Sequence, residues 1–414
     1  MSIPVGHVLA ASAHSRMEAQ VLHGVLAAAG LTPMVPDENL ADGWASVQQM
    51  ANAMAVDIYV PKAEAERARE ALASARASRD AVFSEDGVHV RPVRFGIVGA
   101  GRIVSGRFVP ALQQTERAEL RRVATRSPAR AADFAATCVS SRYEDVFEDP
   151  EVEAVYIATH NGLHHEQALA AMRRGKHVLC EKPLGRNARE CRELADVAAA
   201  SGLLLIEGFM YRSHPQLALV QRLLAEGRIG TLRTVEASFS FMLTRKDDVR
   251  LKPEWGGGAL LDVGCYCVNF ARLFLGDLPR RVTAFAAFDA THGIDTSLSG
   301  VLDYGEGRHA VVSCGFDGGT RNRALLSGTE GVLSIPEAFL TQPHENKVVL
   351  DSAAGHEEFR VESADAFLLM IESFAAAVRG EAAPHLSAEE GWHNARIMDA
   401  LLLSARRFGA PVTP

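Results

Sequence analysis

The chain has 414 residues, of which 48% are hydrophobic and 23% charged, and its formal net charge is −8. This length allows two or three domains, and this composition belongs to a soluble chain with a sizeable buried core, not to a disordered one. An acidic balance without any basic block argues against nucleic acid as a primary partner.

The opening Met1-Ser2-Ile3-Pro4-Val5-Gly6-His7 has no charged leader followed by an apolar run, so no secretory signal is expected. No segment reads as long and apolar enough to cross a membrane. The six cysteines, Cys138, Cys180, Cys191, Cys265, Cys267 and Cys314, contain no C-x-x-C pair. Reduced thiols and a cytoplasmic location are expected.

Residues 1–84 predict a small α+β accessory domain. Val8 to Ala11 is a short apolar run. Met17, Val21, Leu22, Val25, Leu26 and Ala29 follow helical spacing, which Gly30 stops. Met34-Val35 and Ile58-Tyr59-Val60 look like strands, and Pro61 suits the first turn of a helix through Leu72. The polar Ser84-Glu85-Asp86-Gly87 opens a linker over 85–92.

From 93 to 212 strand and helix patterns alternate. Strands are expected at Val93 to Val98, Glu119 to Ala124, Ala154 to Ala158, His177 to Cys180 and Leu203 to Glu207. Helices are expected between them, to about Gln114, over Pro128 to Ala136, over His164 to Arg174 and over Ala188 to Ser201. Alternation of this kind predicts a parallel α/β sheet with crossover helices, a Rossmann domain.

Residues 213–414 change character. Strand-like runs follow one another at Leu232 to Leu243, Arg281 to Phe288, Ser297 to Tyr304, Ala310 to Phe316, Ala324 to Ser327 and Val332 to Ile335. Gly305-Glu306-Gly307 and Gly328-Thr329-Glu330-Gly331 are hairpin signals. A C-terminal α+β domain with a mostly antiparallel open sheet is expected. Ser363 and Ser387 begin its last two helices, the second through the capping box Ser387-Ala388-Glu389-Glu390.

Gly99-Ala100-Gly101-Arg102-Ile103 ends a predicted strand and starts a helix. Gly99 permits the tight turn, and Gly101 lets the backbone approach a pyrophosphate at the helix N-terminus. Val104 stands where the fingerprint's third glycine or alanine would be. The next strand ends in Thr125-Arg126-Ser127-Pro128 and carries no terminal carboxylate for a ribose 2′-hydroxyl. Arg126 can stack on adenine or pair with a 2′-phosphate, and Ser127 can donate a hydrogen bond. NADP is therefore expected over NAD.

Three further clusters carry chemistry. Thr159-His160-Asn161-Gly162-Leu163-His164-His165 and Cys180-Glu181-Lys182-Pro183-Leu184 follow predicted parallel strands, where ligands bind in open α/β sheets. Trp255-Gly256-Gly257-Gly258-Ala259-Leu260-Leu261-Asp262-Val263-Gly264-Cys265-Tyr266 runs from glycines into a helix, with Asp262 and Tyr266 four apart on one face.

On the Rossmann turn, Glu181-Lys182-Pro183 and the glycine run leading to Asp262, residues 93–414 resemble the glucose–fructose oxidoreductase, inositol dehydrogenase and rhizopine-catabolism (Gfo/Idh/MocA) family. Tyr266 and Glu207-Gly208-Phe209-Met210-Tyr211-Arg212 are similar to the branch with glucose–fructose oxidoreductase, dihydrodiol dehydrogenase and xylose dehydrogenase. The resemblance implies that Thr159, Asn161, His164, Glu181 and Arg212 border the cofactor. It also implies a homodimer or homotetramer formed through the C-terminal sheet. Gly30-Leu31-Thr32-Pro33 and Tyr59-Val60-Pro61 resemble a small prokaryotic domain associated with signal transduction.

Hydride removal from a carbinol carbon needs a base for the hydroxyl proton. A tyrosine is a poor base at its ordinary pKa of about 10, and a nearby ammonium lowers it. Tyr266 is accordingly assigned as general acid/base and Lys182 as its activator, with Lys182 as direct base the other option. Asp262 would position the substrate or Lys182. Arg250 either binds a substrate hydroxyl or carboxylate or is a solvated charge. Tyr211 and Trp255 either stack on a sugar ring or aromatic diol or pack in the core. His160, His164 and His165 are not read as a metal site, because adjacent histidines at a helix start point different ways. The expected activity is NADP-dependent hydride transfer on a sugar, polyol or cyclic diol, and the alternative is a non-catalytic NADP sensor.

Overall fold

The computed structural model describes residues 7–13, 26, 29, 31–32, 56–70, 91–134, 136–341 and 346–414. They divide into two units, Met1–Val90 and Arg91–Pro414. In the first, β1 (His7–Ala13) pairs antiparallel with β2 (Val56–Pro61), with a bulge between Leu9 and Ala11. Pro61 closes β2, and a turn at Lys62–Glu64 leads into a helix over 65–70. Glu64 accepts from both the Thr32 N–H and its hydroxyl, at 2.8 and 3.1 Å. The expected helix from Met17 to Ala29 (apart from Leu26 and Ala29), the strand at Met34-Val35, the end of the helix at Leu72 and the linker from Ser84 to Gly87 lie outside the described residues.

The second unit begins with a six-stranded sheet, entirely parallel, in the order β5-β4-β3-β6-β7-β8. The strands are β3 (Val93–Val98), β4 (Ala118–Ala124), β5 (Cys138–Ser140), β6 (Ala154–Ile157), β7 (His177–Cys180) and β8 (Leu205–Glu207). β3 and β6 sit at the centre, and every residue of β6 is buried, as a strand covered on both faces requires. The order reverses between β3 and β6. Their carboxyl ends therefore border the crevice where ligands bind in doubly wound folds.

Eight strands then form one sheet in the order β10-β11-β12-β9-β13-β14-β15-β16. They are β9 (Leu232–Met242), β10 (Arg281–Phe288), β11 (Asp295–Gly305), β12 (Arg308–Gly315), β13 (Asp317–Gly328), β14 (Gly331–Ile335), β15 (Asn346–Ser352) and β16 (Gly355–Val361). Only the β12–β9 pair is parallel. β5, β15, β16 and the helices Glu144–Glu148 and Pro215–Ala225 are additions to the expected elements. The expected helix from Pro128 is a single short turn, Pro128–Ala131.

The helix Cys265–Leu275 packs on β9 and β12, and nearly all of it is buried. The stretch Pro253–Leu275 is long and apolar enough to pass for a membrane span, against the expectation that no such segment exists. Its most apolar window is 89% buried inside the protein, so the apolarity is that of a core helix. The helix Ala388–Arg406, capped by the Ser387 hydroxyl accepting from the Glu390 N–H, packs on both the helix Ala188–Ser201 and β10. It ties the parallel sheet to the antiparallel one. The helix Ala366–Val378 starts two residues later than expected, because Asp365 caps it by accepting from the Phe367 and Leu368 N–H groups.

Candidate active site

Gly99 leaves β3 with φ of 102°, and a Cβ there would lie 2.5 Å from the Ala158 carbonyl oxygen. Only glycine makes this turn without strain. At Gly101 a Cβ would meet nothing within 4 Å. That open space, bordered by first-turn N–H groups that have no intrahelical acceptor, is a cradle that fits a pyrophosphate. Arg102 and Ile103 follow, both exposed. Val104 is fully buried and starts a wide i→i+5 turn over Val104–Phe108. The helix thus meets the sheet closely with a branched residue at the position the fingerprint keeps small.

At the end of β4, Thr125 is buried; its N–H donates to the Ser140 carbonyl at 2.9 Å and its hydroxyl accepts from the Ser127 N–H at 3.3 Å. Arg126 and Ser127 stand exposed beside the cradle. Arg130 is exposed on the same turn, its N–H donating to the Ser127 carbonyl at 2.9 Å. Sequence reasoning missed Arg130, although Ser127-Pro128 announced the turn that carries it. From Ala124 to Ala132 there is no acidic residue. This donor set, two guanidiniums and a serine, fits a phosphate better than a ribose hydroxyl.

A cavity of about 710 Å³ opens beyond the cradle. Ile103, Asn161, His164 and Lys182 line it from the parallel-sheet side, and Asp262 and Tyr266 from the other. The Lys182 ammonium donates to the Asp262 carbonyl at 2.7 Å and to its Oδ1 at 3.0 Å. Arg250 Nε donates to Asp262 Oδ2 at 2.6 Å, and Arg250 Nη1 to Asp248 Oδ1 at 3.1 Å. Burial by itself would raise the Asp262 pKa, but Lys182 and Arg250 pull it below the ordinary carboxylate value. Burial likewise pushes Lys182 down, and Asp262, Cys265 and Glu181 outweigh it, so the amine stays charged.

Tyr266 meets Lys182 differently from the expectation. The ammonium lies over the tyrosine ring, 5.3 Å from its centroid, while the hydroxyl is turned to Met210 Sδ at 3.6 Å. Phe209, Phe239 and Phe339 surround the ring at 5.1, 5.3 and 5.6 Å. Burial, and after it Glu181, Cys265 and Asp262, push the phenol well above its ordinary pKa. The expected lowering by Lys182 is thereby corrected: Asp262 holds the ammonium, which faces the ring and not the hydroxyl. In this state Tyr266 is a neutral phenol.

The glycine run aims this cluster. Gly258 has φ of 121°, and a Cβ there would run into the Asp295 carboxylate. Asp295 Oδ2 accepts from the Leu260 N–H at 2.6 Å and so starts the helical segment that carries Asp262. Burial raises the Asp295 pKa to about 6. Nothing in the local sequence could have found Asp295, which lies on β11.

The loop after β6 joins the two lobes. Asn161 donates to the Gly256 carbonyl at 2.7 Å, and Thr159 to Gln167 Oε1 at 2.8 Å. His164 Nδ1 bonds the Pro183 carbonyl at 2.8 Å, and burial lowers its pKa to about 4, so it is neutral. Glu181 accepts the Tyr156 hydroxyl at 2.6 Å. His160 stacks on Trp255 at 4.8 Å, which places Trp255 at the cavity wall, and His165 pairs with Glu193 at 3.0 Å. The three histidines face three ways; among the described residues no group of His, Cys, Asp and Glu is arranged to hold a metal.

Two expected site residues are elsewhere. Tyr211 is 1% exposed, and its hydroxyl donates to Asn269 Oδ1 at 2.5 Å. It is core packing behind Tyr266, 6.0 Å from that ring, not a surface for substrate. Arg212 reaches Asn269 at 3.3 Å and Glu390 at 3.4 Å, and is absent from the cavity wall. Its charge fastens the helix Ala388–Arg406.

A dinucleotide cradle opening onto a lysine, an aspartate and a tyrosine, under an antiparallel sheet, defines a nicotinamide-dependent oxidoreductase. Residues 93–209 match the oxidoreductase family with an NAD-binding Rossmann fold, and residues 217–334 match the Gfo/Idh/MocA C-terminal domain. The chain belongs to the Gfo/Idh/MocA family of oxidoreductases. It is 37% identical over 324 residues to D-xylose 1-dehydrogenase (NADP(+)) 2 of Haloferax volcanii, covering 76% of this chain and 98% of that one. It is also 37% identical over 250 residues to trans-1,2-dihydrobenzene-1,2-diol dehydrogenase of Oryctolagus cuniculus, covering 58% of this chain and 74% of that one. A 3-ketoreductase from Actinomadura kijaniata, solved with NADP and TDP-benzene, superposes with a TM-score of 0.72 at 31% identity, over 76% of this chain and 98% of that one.

Proposed function

We propose that this protein is an NADP-dependent oxidoreductase acting on CH–OH groups of a sugar, polyol or cyclic diol. One observation carries the reading: Lys182, Asp262 and Tyr266, from two different lobes, line one cavity beside the Gly99–Ile103 cradle. Gly99, Gly101, Arg102 and Ile103 would hold the pyrophosphate, Thr125, Arg126 and Ser127 with Arg130 the 2′-phosphate end, and Thr159, Asn161, His164 and Glu181 the nicotinamide side. When bound, the nicotinamide supplies or takes up hydride at C4.

The chain's own groups handle the oxygen. Lys182 has three N–H donors and gives two to Asp262, which leaves one for a substrate oxygen. Tyr266, held protonated, delivers the proton to that oxygen during carbonyl reduction and recovers it during oxidation. Lys182 and Arg250 each face a carboxylate, so neither is a spare cation for an acidic substrate. This favours uncharged hydroxyl compounds. Structures of the 3-ketoreductase include variants of one lysine and one tyrosine with the same separation along the chain as Lys182 and Tyr266.

NADPH formation across a panel of sugars, polyols and cyclic diols tests the reading, with Lys182→Met and Tyr266→Phe beside the parent. Turnover with NADP, lost by about 100-fold or more in both variants, is the expected result. Tight NADP binding without turnover on any substrate would replace the enzyme by a cofactor sensor.

The molecule is further proposed to be a cytoplasmic homodimer or homotetramer. Val301 and Val311, opposite each other on β11 and β12, are 42% and 37% exposed, which suits a sheet face covered by a second copy. Val301→Asp should then lower the mass seen by light scattering. The unit Met1–Val90 is proposed to regulate or assemble the enzyme; unchanged mass and kinetics on deleting residues 1–84 would remove that role.

A further inference from the structure

The cation beside Asp262 does more than fill space. Asp262 divides its two carboxylate oxygens, Oδ1 to Lys182 at 3.0 Å and Oδ2 to Arg250 at 2.6 Å. Arg250 is itself clamped. Asp248 Oδ1 accepts from both the Arg250 backbone N–H and Nη1, each at 3.1 Å, and its side chain is only 1% exposed. Asp248 Oδ2 accepts from Arg245 at 2.8 Å. Charges therefore alternate from the surface inward: Arg245, Asp248, Arg250, Asp262, Lys182. Every member but the lysine belongs to the short segment from Arg245 to Asp262.

We infer that Arg250, locked by Asp248, is a positioning residue: it fixes the carboxylate of Asp262 where that carboxylate grips the Lys182 ammonium. A carboxylate on a single lysine keeps rotational freedom, because an ammonium is a point charge with three equivalent donors. A guanidinium has a planar fork whose N–H directions are set, and here two of them are committed to separate carboxylates. Arg250 therefore dictates the plane of Asp262, and Asp262 dictates where Lys182 presents its remaining N–H. This role differs from direct contact with substrate, and it assigns Asp248 a purpose that its distance from Lys182 conceals. The inference rests on the oxidoreductase reading for its kinetic test, and on geometry alone for its structural one.

Other titratable groups face the same residues. Glu181 and Cys265 face Lys182, and Asp248 faces Arg250, whose guanidinium lies 5.7 Å from the Phe241 ring. With these unchanged, removing Arg250 takes away one of the two cations that hold Asp262 ionised. The acid limb of the kcat–pH profile then moves upward.

The test uses the full chain with Arg250→Met, Arg250→Lys and Asp248→Asn, the last nearly isosteric and least disruptive to folding. Arg250→Met is expected to lose about 10- to 100-fold in kcat, with substrate KM and NADP affinity within about twofold. Its acid limb should shift upward. Arg250→Lys should recover part of kcat, having the charge without the fork, and Asp248→Asn should show a smaller loss of the same kind. Crystal structures of Arg250→Met and Asp248→Asn should show Asp262 turned away from Lys182. A loss confined to KM would make Arg250 a substrate ligand and overturn the inference, as would unchanged kcat and pH profile. If the parent turns over nothing on the panel, the oxidoreductase reading fails separately. The variant structures then decide, and an undisturbed Lys182–Asp262 pair overturns the inference.

Discussion

Single side chains in this protein divide by what their polar atoms already have. Arg126 and Arg130 stand exposed at the end of β4, with no carboxylate between Ala124 and Ala132. A charged hydrogen bond to a phosphate is worth roughly 1.5–3 kcal/mol, so Arg126→Ala should raise KM for NADP by about 10- to 100-fold. KM for NAD should hardly change. Steady-state kinetics with both cofactors decide this, and an unaffected NADP constant would place the phosphate elsewhere. Tyr211 has the opposite character, with its hydroxyl spent on Asn269 in the core. Tyr211→Phe should cost about 1 kcal/mol in urea unfolding and leave kcat within about twofold; a large fall in kcat would return Tyr211 to the substrate wall.

Elements depend on a few residues that set where they begin. Gly258 needs positive φ and also the absence of a Cβ against Asp295. Gly258→Ala should destabilise the protein by about 2 kcal/mol or more, and it should abolish turnover by misplacing the segment that carries Asp262. Thermal unfolding beside an activity assay separates the two effects. Ser387 offers a milder case, since its hydroxyl satisfies one first-turn N–H of the helix Ala388–Arg406. Ser387→Ala should cost about 1 kcal/mol, read from the denaturant midpoint. Elements announced by such local signals were legible: the Gly99 turn, the Ser387 cap and five of the six parallel strands. β16 was not, because Gly355–Val361 is mostly exposed and carries His356, Glu357 and Glu358 in place of apolar alternation; β15 was missed despite its buried run Val348-Val349-Leu350. The wide turn at Leu260–Gly264 was also hidden, since its sequence continues an ordinary helical pattern.

At the scale of the molecule, ion pairs join segments far apart in the chain. Glu153, just before β6, accepts from Arg379 through both oxygens at 3.0 Å and from the Arg94 N–H at 3.2 Å. It links β3 and β6 to the end of the helix Ala366–Val378. Burial opposes its ionisation, but the Arg379 and Arg94 hydrogen bonds prevail and lower its pKa from 4.5 to about 2. A carboxyl with a depressed folded pKa stabilises above its unfolded value and loses that contribution as pH falls toward the folded one. Glu153→Gln should thus lower stability by roughly 2–3 kcal/mol at neutral pH, and the difference from the parent should vanish between about pH 4.5 and pH 2. Denaturant midpoints measured across that window check the sign; a difference that grows on acidification would refute it.

Short-range chemistry was readable in the order of residues. A glycine that must turn, a serine that must cap, an alternation of apolar strands with helices and a Glu-Lys-Pro after a strand each act over a few positions. They sufficed for the fold class, and they singled out Lys182, Asp262 and Tyr266, which the folded chain brings to one cavity. How these three meet was settled by packing. Asp262 takes the ammonium, the tyrosine offers its ring face in place of its hydroxyl, Asp295 reaches in from β11, and Tyr211 and Arg212 turn to the core. A buried charge takes whichever partner the folded chain brings within hydrogen-bonding distance, and that distance bears no relation to separation along the sequence.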